Sequence, residues 1–459
     1  MSQPGIFTKS NLVYIPLSVT IAHISQFIFN SPLSVWKEFP PNVPTSVYSS
    51  IFFTPFLLFL SLSFEPIQTR IRFYTLLSLA LIFVSIPISF RGKYPTLLHN
   101  FFVSYGSMYG LKMLLFLKFN RVYLNQEDHN KKKEFKSFLW TLFNSRFNSY
   151  IIPPKKDGSN EKENSLIITS PTTSQIYKKI INRIIISFAK LLLLELVMFN
   201  AITYTSSIPE KPYQLRLIEF FTKGIPAITM PLMLQNLHLF LCLYLMMSVY
   251  SYDILIIIST IFYRLFLHSS SKANNYKPIL IKCGLLTPSE FVSLKEWMIT
   301  TIFNTKHLFS EPWMASSPRD FWSARWQVMI NESFKELGYL PIKNTFAPIV
   351  PKKIANTMGV FGAFGVSALL HEHLIIGNFD IWTGEHLFFF MMHGVIFVLW
   401  EAIFGRENKN ENLKVKRFLK CLLLLVINLS VLPAFIEPLR RRPDLFQIPL
   451  YLAKYYQLN

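Results

Sequence analysis

The groups able to do chemistry inside an otherwise apolar stretch are His371, Glu372 and His373. They close the run G-V-F-G-A-F-G-V-S-A-L-L-H-E-H. Ionisable side chains at membrane depth are costly, and their default reading is functional. An imidazole titrates near neutrality, so a histidine placed there can take a proton and return it. A structural histidine satisfied by its neighbours is the plain alternative. Residues two apart do not share a helix face, so His371 and His373 are not expected to reach one site. A helix ending near Gly377 would leave His373 close to the surface. The next run holds His386, His393 on the same face seven residues on, and Glu401 eight beyond that. His-Glu-His is not the two-His, four-apart pattern of zinc proteases. Further ligands are not evident, so no metal is expected.

A second concentration of chemistry lies upstream, in the moderately polar segment 277–350. It reads E-P-W-M-A-S-S-P-R-D-F-W-S-A-R-W-Q-V-M-I-N from Glu311 to Asn331. Ser317 suits an N-cap, Pro318 the first helical position, and Asp320 completes a Ser-x-x-Asp box. Gly338 suits the exit. The predicted helix is 318–337. At 100° per residue Trp322, Trp326, Met329, Ser333 and Leu337 fall on one side, widened by Ile330 and Phe334. Asp320, Gln327 and Asn331 fall opposite. Such a helix suits the membrane interface; packing on a helical bundle with a merely solvated polar face is the alternative.

The elements that must position these residues are apolar runs. Candidate spans are 12–29, 47–64, 73–90, 97–117, 184–204, 228–248, 251–267, 354–376, 386–404 and 416–436. A span needs about 20 mostly apolar residues. Residues 228–267 are about 60 Å of helix, or two bilayer thicknesses, and are split where polarity rises at Ser251–Asp253. The first span is the weakest, with His23 and Gln26 inside it. Unpaired backbone is not tolerated in lipid, and the runs are continuously apolar rather than alternating. The expected class is therefore all-α, a polytopic membrane protein with eight to ten transmembrane helices. Gly359, Gly362, Ala363 and Gly365 permit close helix approach.

Composition agrees. Of 459 residues, 51% are hydrophobic and 16% charged. Aromatic-rich apolar bulk excludes disorder, and three cysteines exclude a disulfide framework. Cys242 and Cys421 lie in apolar runs and read as small hydrophobes. The net charge of +20 collects between spans. Segment 118–183 carries about twice as many basic as acidic residues, including Lys131-Lys132-Lys133 and the low-complexity, disorder-like stretch D-G-S-N-E-K-E-N-S. Arg440-Arg441-Arg442 follows the last span. Positive loops stay cytoplasmic, so the charge sets topology and meets anionic membrane lipids. No nucleic-acid partner is required. M-S-Q-P-G-I-F-T-K-S-N lacks the pattern of a removable signal peptide. No internal repeat is seen, which disfavours an inverted-repeat transporter.

Taken in order, S-S-P-R-D-F-W-S-A-R-W-Q, then S-A-L-L-H-E, then F-F-F-M-M-H-G-V-I-F-V-L-W-E resemble the wax synthase branch of the membrane-bound O-acyltransferases. That branch carries R/Q-D-F-W-x-R-R-W-N, a later S-G-L-x-H-E inside a membrane helix, and Phe-x-x-x-x-His-Gly with a Glu further on. The detailed match covers about residues 280–405. It implies His371 as the catalytic histidine and places Asp320, Phe321, Trp322, Arg325 and Trp326 in the first motif. Phe388, His393, Gly394 and Glu401 fall in the third. Ala324 stands where the branch often has Arg. Gln327 stands where it has the Asn thought to assist the histidine; Gln keeps the amide but sets it one methylene further out.

The chemistry implied is transfer of an acyl group from acyl-CoA, a cosubstrate rather than a bound cofactor, to a fatty or other alcohol. A thiol leaves readily; the harder task is removing the hydroxyl proton as oxygen attacks. His371 would be the base, and Gln327 would polarise the carbonyl or orient the acceptor. Without a nucleophile motif, direct transfer is expected. Arg319 and Arg325 would meet coenzyme A phosphates, or else headgroups or a neighbouring acid. Asp320, Trp322, Trp326, Asn331, His393 and Glu401 complete the expected substrate-binding set. The organisation is then 1–117, N-terminal membrane helices; 118–183, a basic, partly disordered cytoplasmic loop; and 184–459, a membrane acyltransferase core, in the endoplasmic reticulum by resemblance. Alternatives are short-chain O-acetyl transfer to a secondary metabolite, a transporter or channel using His371, His393 and Glu401, and a degenerate relative.

Overall fold

The computed structural model describes residues 9–63, 67, 69–94, 96–122, 170–203, 209–224, 230–268, 278–283, 286–304, 307–328, 330–405 and 414–441. Lys131–Lys133, the D-G-S-N-E-K-E-N-S stretch, Met329 and Arg442 lie outside them. The principal helices are α1 Lys9–Asn30, α2 Thr45–Ser63, α3 Arg70–Ser89, α4 Thr96–Val122, α5 Thr173–Thr203, α6 Tyr213–Lys223 and α7, residues 230–267. Then come α8 Pro288–Phe303, α9 Pro318–Asp320, α10 (residues 331–346), α11 Lys352–Phe379, α12 Glu385–Phe404, α13 Lys414–Val431 and α14 Pro433–Arg440.

Among the described residues, seven helical segments are long and apolar enough to cross a membrane, fewer than the eight to ten expected. They are Val13–Asn30, Thr45–Ser63, Arg70–Ser89, Leu232–Leu267, Lys352–Phe379, Glu385–Phe404 and Val415–Arg440. The runs 228–248 and 251–267 are joined. Ser251–Asp253 do not break the helix but form part of a π-turn, Val249–Asp253, inside it. The runs 97–117 and 184–204 are helical within α4 and α5, which carry more polar and charged residues and are not among the seven. Large apolar side chains cover the outsides: Ile185 and Phe188 on α5, and Phe418 and Leu419 on α13, are about 60% exposed. In water such faces would drive association; lipid tails solvate them. This is an integral membrane protein.

The chain divides into two compact units. The first comprises Met1–Arg146, Phe262–Met298 and Ile376–Asp380. In it α1 packs on α2, α2 on α3, and α3 on α4. Phe52, Phe59, Phe83 and Phe116 are fully buried, and Phe52 stacks on Phe102 with centroids 4.4 Å apart. His99 is satisfied on both sides. Its Nε2 lies 2.8 Å from the Gly377 carbonyl and must carry the hydrogen, so Nδ1 accepts from the Tyr48 hydroxyl at 3.1 Å.

The second unit comprises Phe147–Ile261, Ile299–Ile375 and Ile381–Asn459. Its helices α6, α12 and α14 meet around a buried ionic network. Glu385 and Glu437 are fully buried. Glu437 pairs with Arg216 and, at 3.8 Å, with Arg441, which also pairs with Glu385. Glu385 further accepts the Tyr213 N–H at 2.8 Å and the Thr383 hydroxyl at 2.7 Å. Two carboxylates against two guanidiniums leave no net charge in a low-dielectric interior. Arg440, also buried, donates to Gln235 and Asn236. The expectation that this arginine run meets headgroups is therefore corrected for Arg440 and Arg441: both turn inward, because buried acceptors await them.

Close backbone approach occurs where glycine permits it. A Cβ on Gly338 would overlap the backbone of Gly362 and Ala363, and one on Gly362 would overlap Gly338 and Ile342. Tyr339 lies against Gly359 in the same way, whereas Gly365 faces open space. Gly338→Ala should therefore destabilise by about 1–3 kcal/mol, the usual cost of overpacking. Gly365→Ala should be neutral. Thermal unfolding of the detergent-purified protein measures both.

Candidate active site

Ser317 begins the motif segment as an N-cap. Its backbone is extended, and its hydroxyl accepts the Asp320 N–H at 3.0 Å. The helix predicted over 318–337 does not run through. After α9 the chain enters a π-turn, Phe321–Arg325; Trp326 is extended and Gln327 is left-handed at φ 42°. Helix resumes at Asn331 and passes Gly338, the expected exit, to reach Phe346. The cause of the break is tertiary. The Ser310 N–H donates to the Arg325 carbonyl at 2.9 Å and the Val328 N–H to the Leu308 carbonyl at 3.3 Å. Residues 308–310 thus take the backbone groups that a continuous helix would have used.

The interruption separates the two tryptophans expected on one face. Trp322 packs against Phe364, Phe390 and the His393 ring, the last at 5.1 Å. Trp326 lies parallel to Phe321 and Phe240 at 5.6 and 5.3 Å and tilts onto Phe309 at 4.7 Å. Gln327 follows Trp326: its amide donates to the Met247 sulfur on α7 at 3.4 Å. Asn331 donates to the Ser323 carbonyl at 3.1 Å and ties α10 back to the π-turn.

Both motif arginines are held by carboxylates. Arg325 pairs with Asp320 at 2.7 Å and also donates to the Ser310 and Glu311 carbonyls. Arg319 pairs with Glu401 at 2.5 Å and lies over the Phe397 ring. A small pocket there is lined by Ser317, Pro318, Arg319, Phe397, Trp400 and Glu401.

His371 sits on α11 among aromatic rings. Phe390 stacks on it at 4.6 Å, Phe435 meets it edge-on at 5.3 Å, and the His386 ring stands 5.8 Å away. His371, His386 and His393 thus lie in one aromatic cluster with Phe389, Phe390 and Phe435, but their hydrogen bonding differs. His386 Nε2 lies 2.8 Å from the Phe435 carbonyl and His393 Nδ1 lies 2.9 Å from the Phe389 carbonyl, so each must donate there. Among the described residues, neither ring nitrogen of His371 has a hydrogen-bond partner. Its neighbour Glu372 points elsewhere, accepting the Leu387 N–H at 2.9 Å, one of the unpaired donors in the first turn of α12. α11 continues past Gly377 to Phe379.

The structure therefore brings Trp322, His371 and His393 together, ties Arg319 to Glu401 and Asp320 to Arg325, and seats Trp326 and Gln327 against α7. Sequence reasoning passed over His386 and Phe435 as neighbours of His371; nothing in their spacing signals it. Among the described residues no group of three His, Cys, Asp or Glu is arranged to hold a metal ion. The cysteines are free: Cys242 is buried, Cys421 half-buried and Cys283 exposed.

Residues 305–392 match the Membrane bound O-acyl transferase family. The match spans Arg319–Asn331 and His371 and stops one residue short of His393. Among curated proteins the chain is similar to three from Arabidopsis thaliana. With "Probable long-chain-alcohol O-fatty-acyltransferase 3" it is 37% identical over 95 residues, 20% of this chain and 28% of that protein. With "Probable long-chain-alcohol O-fatty-acyltransferase 8" it is 29% identical over 144 residues, 28% and 42% respectively. With "Acyl-CoA--sterol O-acyltransferase 1" it is 33% identical over 64 residues, 14% and 18%. The chain spans about a quarter of the length of the first of these relatives. The first two of the three motifs thus lie within the matched residues.

The left-handed backbone at Gln327 gives the departure from Asn a physical content, because Asn tolerates positive φ better than most residues. Gln327→Asn should leave stability unchanged or slightly raised. Gln327→Val should lower it by about 1–2 kcal/mol, the cost of forcing a left-handed conformation on an L-residue. Thermal unfolding reads both directly.

Proposed function

We propose that the protein is a membrane O-acyltransferase that moves an acyl group from acyl-CoA to a lipophilic alcohol, with His371 as general base. The observation that carries the reading is the hydrogen bonding of the three clustered histidines. His386 and His393 each give a ring N–H to a backbone carbonyl and are buried, so although His386 Nδ1 has no partner its ring is shut in; the half-buried His371 ring commits neither nitrogen among the described residues. A proton acceptor must have a lone pair free to reach the reacting hydroxyl.

In this reading the alcohol oxygen attacks the thioester carbonyl carbon while His371 takes its proton. The tetrahedral intermediate collapses with cleavage of the carbon–sulfur bond. The thiolate leaves and recovers the proton from His371, so ester and free thiol are formed and the imidazole is regenerated. Phe390 and Phe435 hold the ring's orientation and exclude water that would compete with the alcohol. The family match over 305–392 supports the reaction class. The names of these relatives include a long-chain alcohol and a sterol, which supports a lipophilic hydroxyl compound as acceptor here. Asp320–Arg325, with Asn331, sets the π-turn that presents Trp322 to the histidine cluster. Gln327 would act on the carbonyl or the acceptor only by leaving Met247. The endoplasmic reticulum is the compartment proposed.

His371→Ala should reduce ester formation by about 10²–10⁴-fold, the range of general-base catalysis. The assay is labelled acyl-CoA with a panel of alcohols and sterols on membranes with matched protein levels. Activity unchanged in His371→Ala would overturn the assignment. An acetyl donor preferred over long-chain donors would favour a short-chain transferase.

A further inference from the structure

The polar cluster at the π-turn of α7 is not used by the reaction described above. Asp253 is fully buried and takes two cations from α5, Arg183 at 3.1 Å and Lys190 at 2.5 Å; Lys190 also donates to the Ser248 hydroxyl at 2.6 Å. Lys179 belongs to the same face. At 100° per residue, positions 179, 183 and 190 fall within about 40° of one another. Asp253 is the one carboxylate that any of the three pairs with among the described residues. The half-buried Lys179 ammonium lies over the Phe303 ring, 5.7 Å from its centre, and meets no acid. The cluster therefore holds three cations against one carboxylate.

The Arg183 guanidinium lies over the Tyr252 ring, and its other edge stands 3.1 Å from His307 Nε2. The exposed His307 opens the cluster to solvent. Burial and the Arg183 charge bring the Lys179 amine down to about 8. Although the residue is exposed overall, desolvation of the ring where it packs on Arg183 and Tyr252, with the charges of Arg183, Lys179 and Lys190, holds the His307 imidazole down to about 4. Positive charge here repels itself, and an anion would relieve the repulsion.

We propose that Lys179, Arg183 and His307 form a phosphate-binding site at the solvent-facing edge of α5. A guanidinium edge, an ammonium and an imidazole N–H suit the oxygens of a phosphate ester. Two sources share that chemistry: the phosphates of a nucleotide-bearing acyl donor and the headgroup of an anionic lipid. The first rests on the acyltransferase reading. It answers the question left by Arg319 and Arg325, whose charges are already met by Glu401 and Asp320. The site adjoins the motif through a continuous set of contacts, since Tyr252 and Trp326 both pack with Leu308 and Phe309.

The test uses the full chain in phosphatidylcholine nanodiscs. Calorimetry measures binding of adenosine 3′,5′-bisphosphate. Native mass spectrometry measures retention of phosphatidic acid offered with an equal amount of phosphatidylcholine. The wild type should bind at least one phosphate probe. Lys179→Glu should weaken that binding about tenfold or more, and Lys179→Gln about threefold. Loss of the bisphosphate assigns the site to the donor; loss of phosphatidic acid assigns it to lipid. If Lys179→Glu does not fold, Lys179→Gln decides. Binding of neither probe by the wild type, or binding unchanged in the variants, overturns the site. Ester formation by the same preparation is read separately. Ester without phosphate binding at Lys179 removes only this site, and phosphate binding without ester removes only the transferase.

Discussion

The constraint on which the second unit depends is charge balance in a medium that does not solvate ions. Glu385 and Glu437 are fully buried, and each is held by arginine. Removing one member would leave an uncompensated charge, which costs far more than the balanced set contributes. The network thereby fixes where the start of α12 lies relative to α14. Those two elements supply His386 and Phe435, whose rings stack at 4.5 Å and which both flank His371. The position of the candidate base follows from where two glutamates found their counterions.

The same economy explains the division of labour inside the H-E pair. Glu372 gives its carboxylate to an unpaired backbone donor of the next helix. His371, one residue away and on another face, is left facing aromatic rings. The His371 ring differs from its neighbours in committing neither nitrogen, whereas His386 and His393 each donate to a backbone carbonyl. The motif arginines are satisfied by carboxylates.

The apolar runs and the three motifs were legible in the sequence because each rests on local pattern: run length, an N-cap at Ser317, an ionisable residue among apolar ones. The break at Trp326–Gln327 was not. No Gly or Pro stands between Trp322 and Ile330 to announce it. It is made by residues 308–310 taking backbone hydrogen bonds and by Trp326 entering an aromatic stack with Phe240 from α7. The joining of 228–248 to 251–267 was hidden for the opposite reason. Ser251 and Asp253 look like a boundary until Arg183 and Lys190 are known to meet Asp253. Arg440 and Arg441 read as surface charges because their acceptors lie as many as 232 residues away in the chain.

The π-turn Val249–Asp253 has a geometric consequence of its own. A π-turn holds one residue more than the α-helical turn it replaces. Side chains after Asp253 are therefore rotated by about 100° relative to an uninterrupted helix. The two parts of α7 keep separate angular registers, and a helical wheel drawn once through residues 230–267 would assign half of its stripe to the wrong side. One inserted residue thus lets a single helix show differently directed faces along its length without a loop.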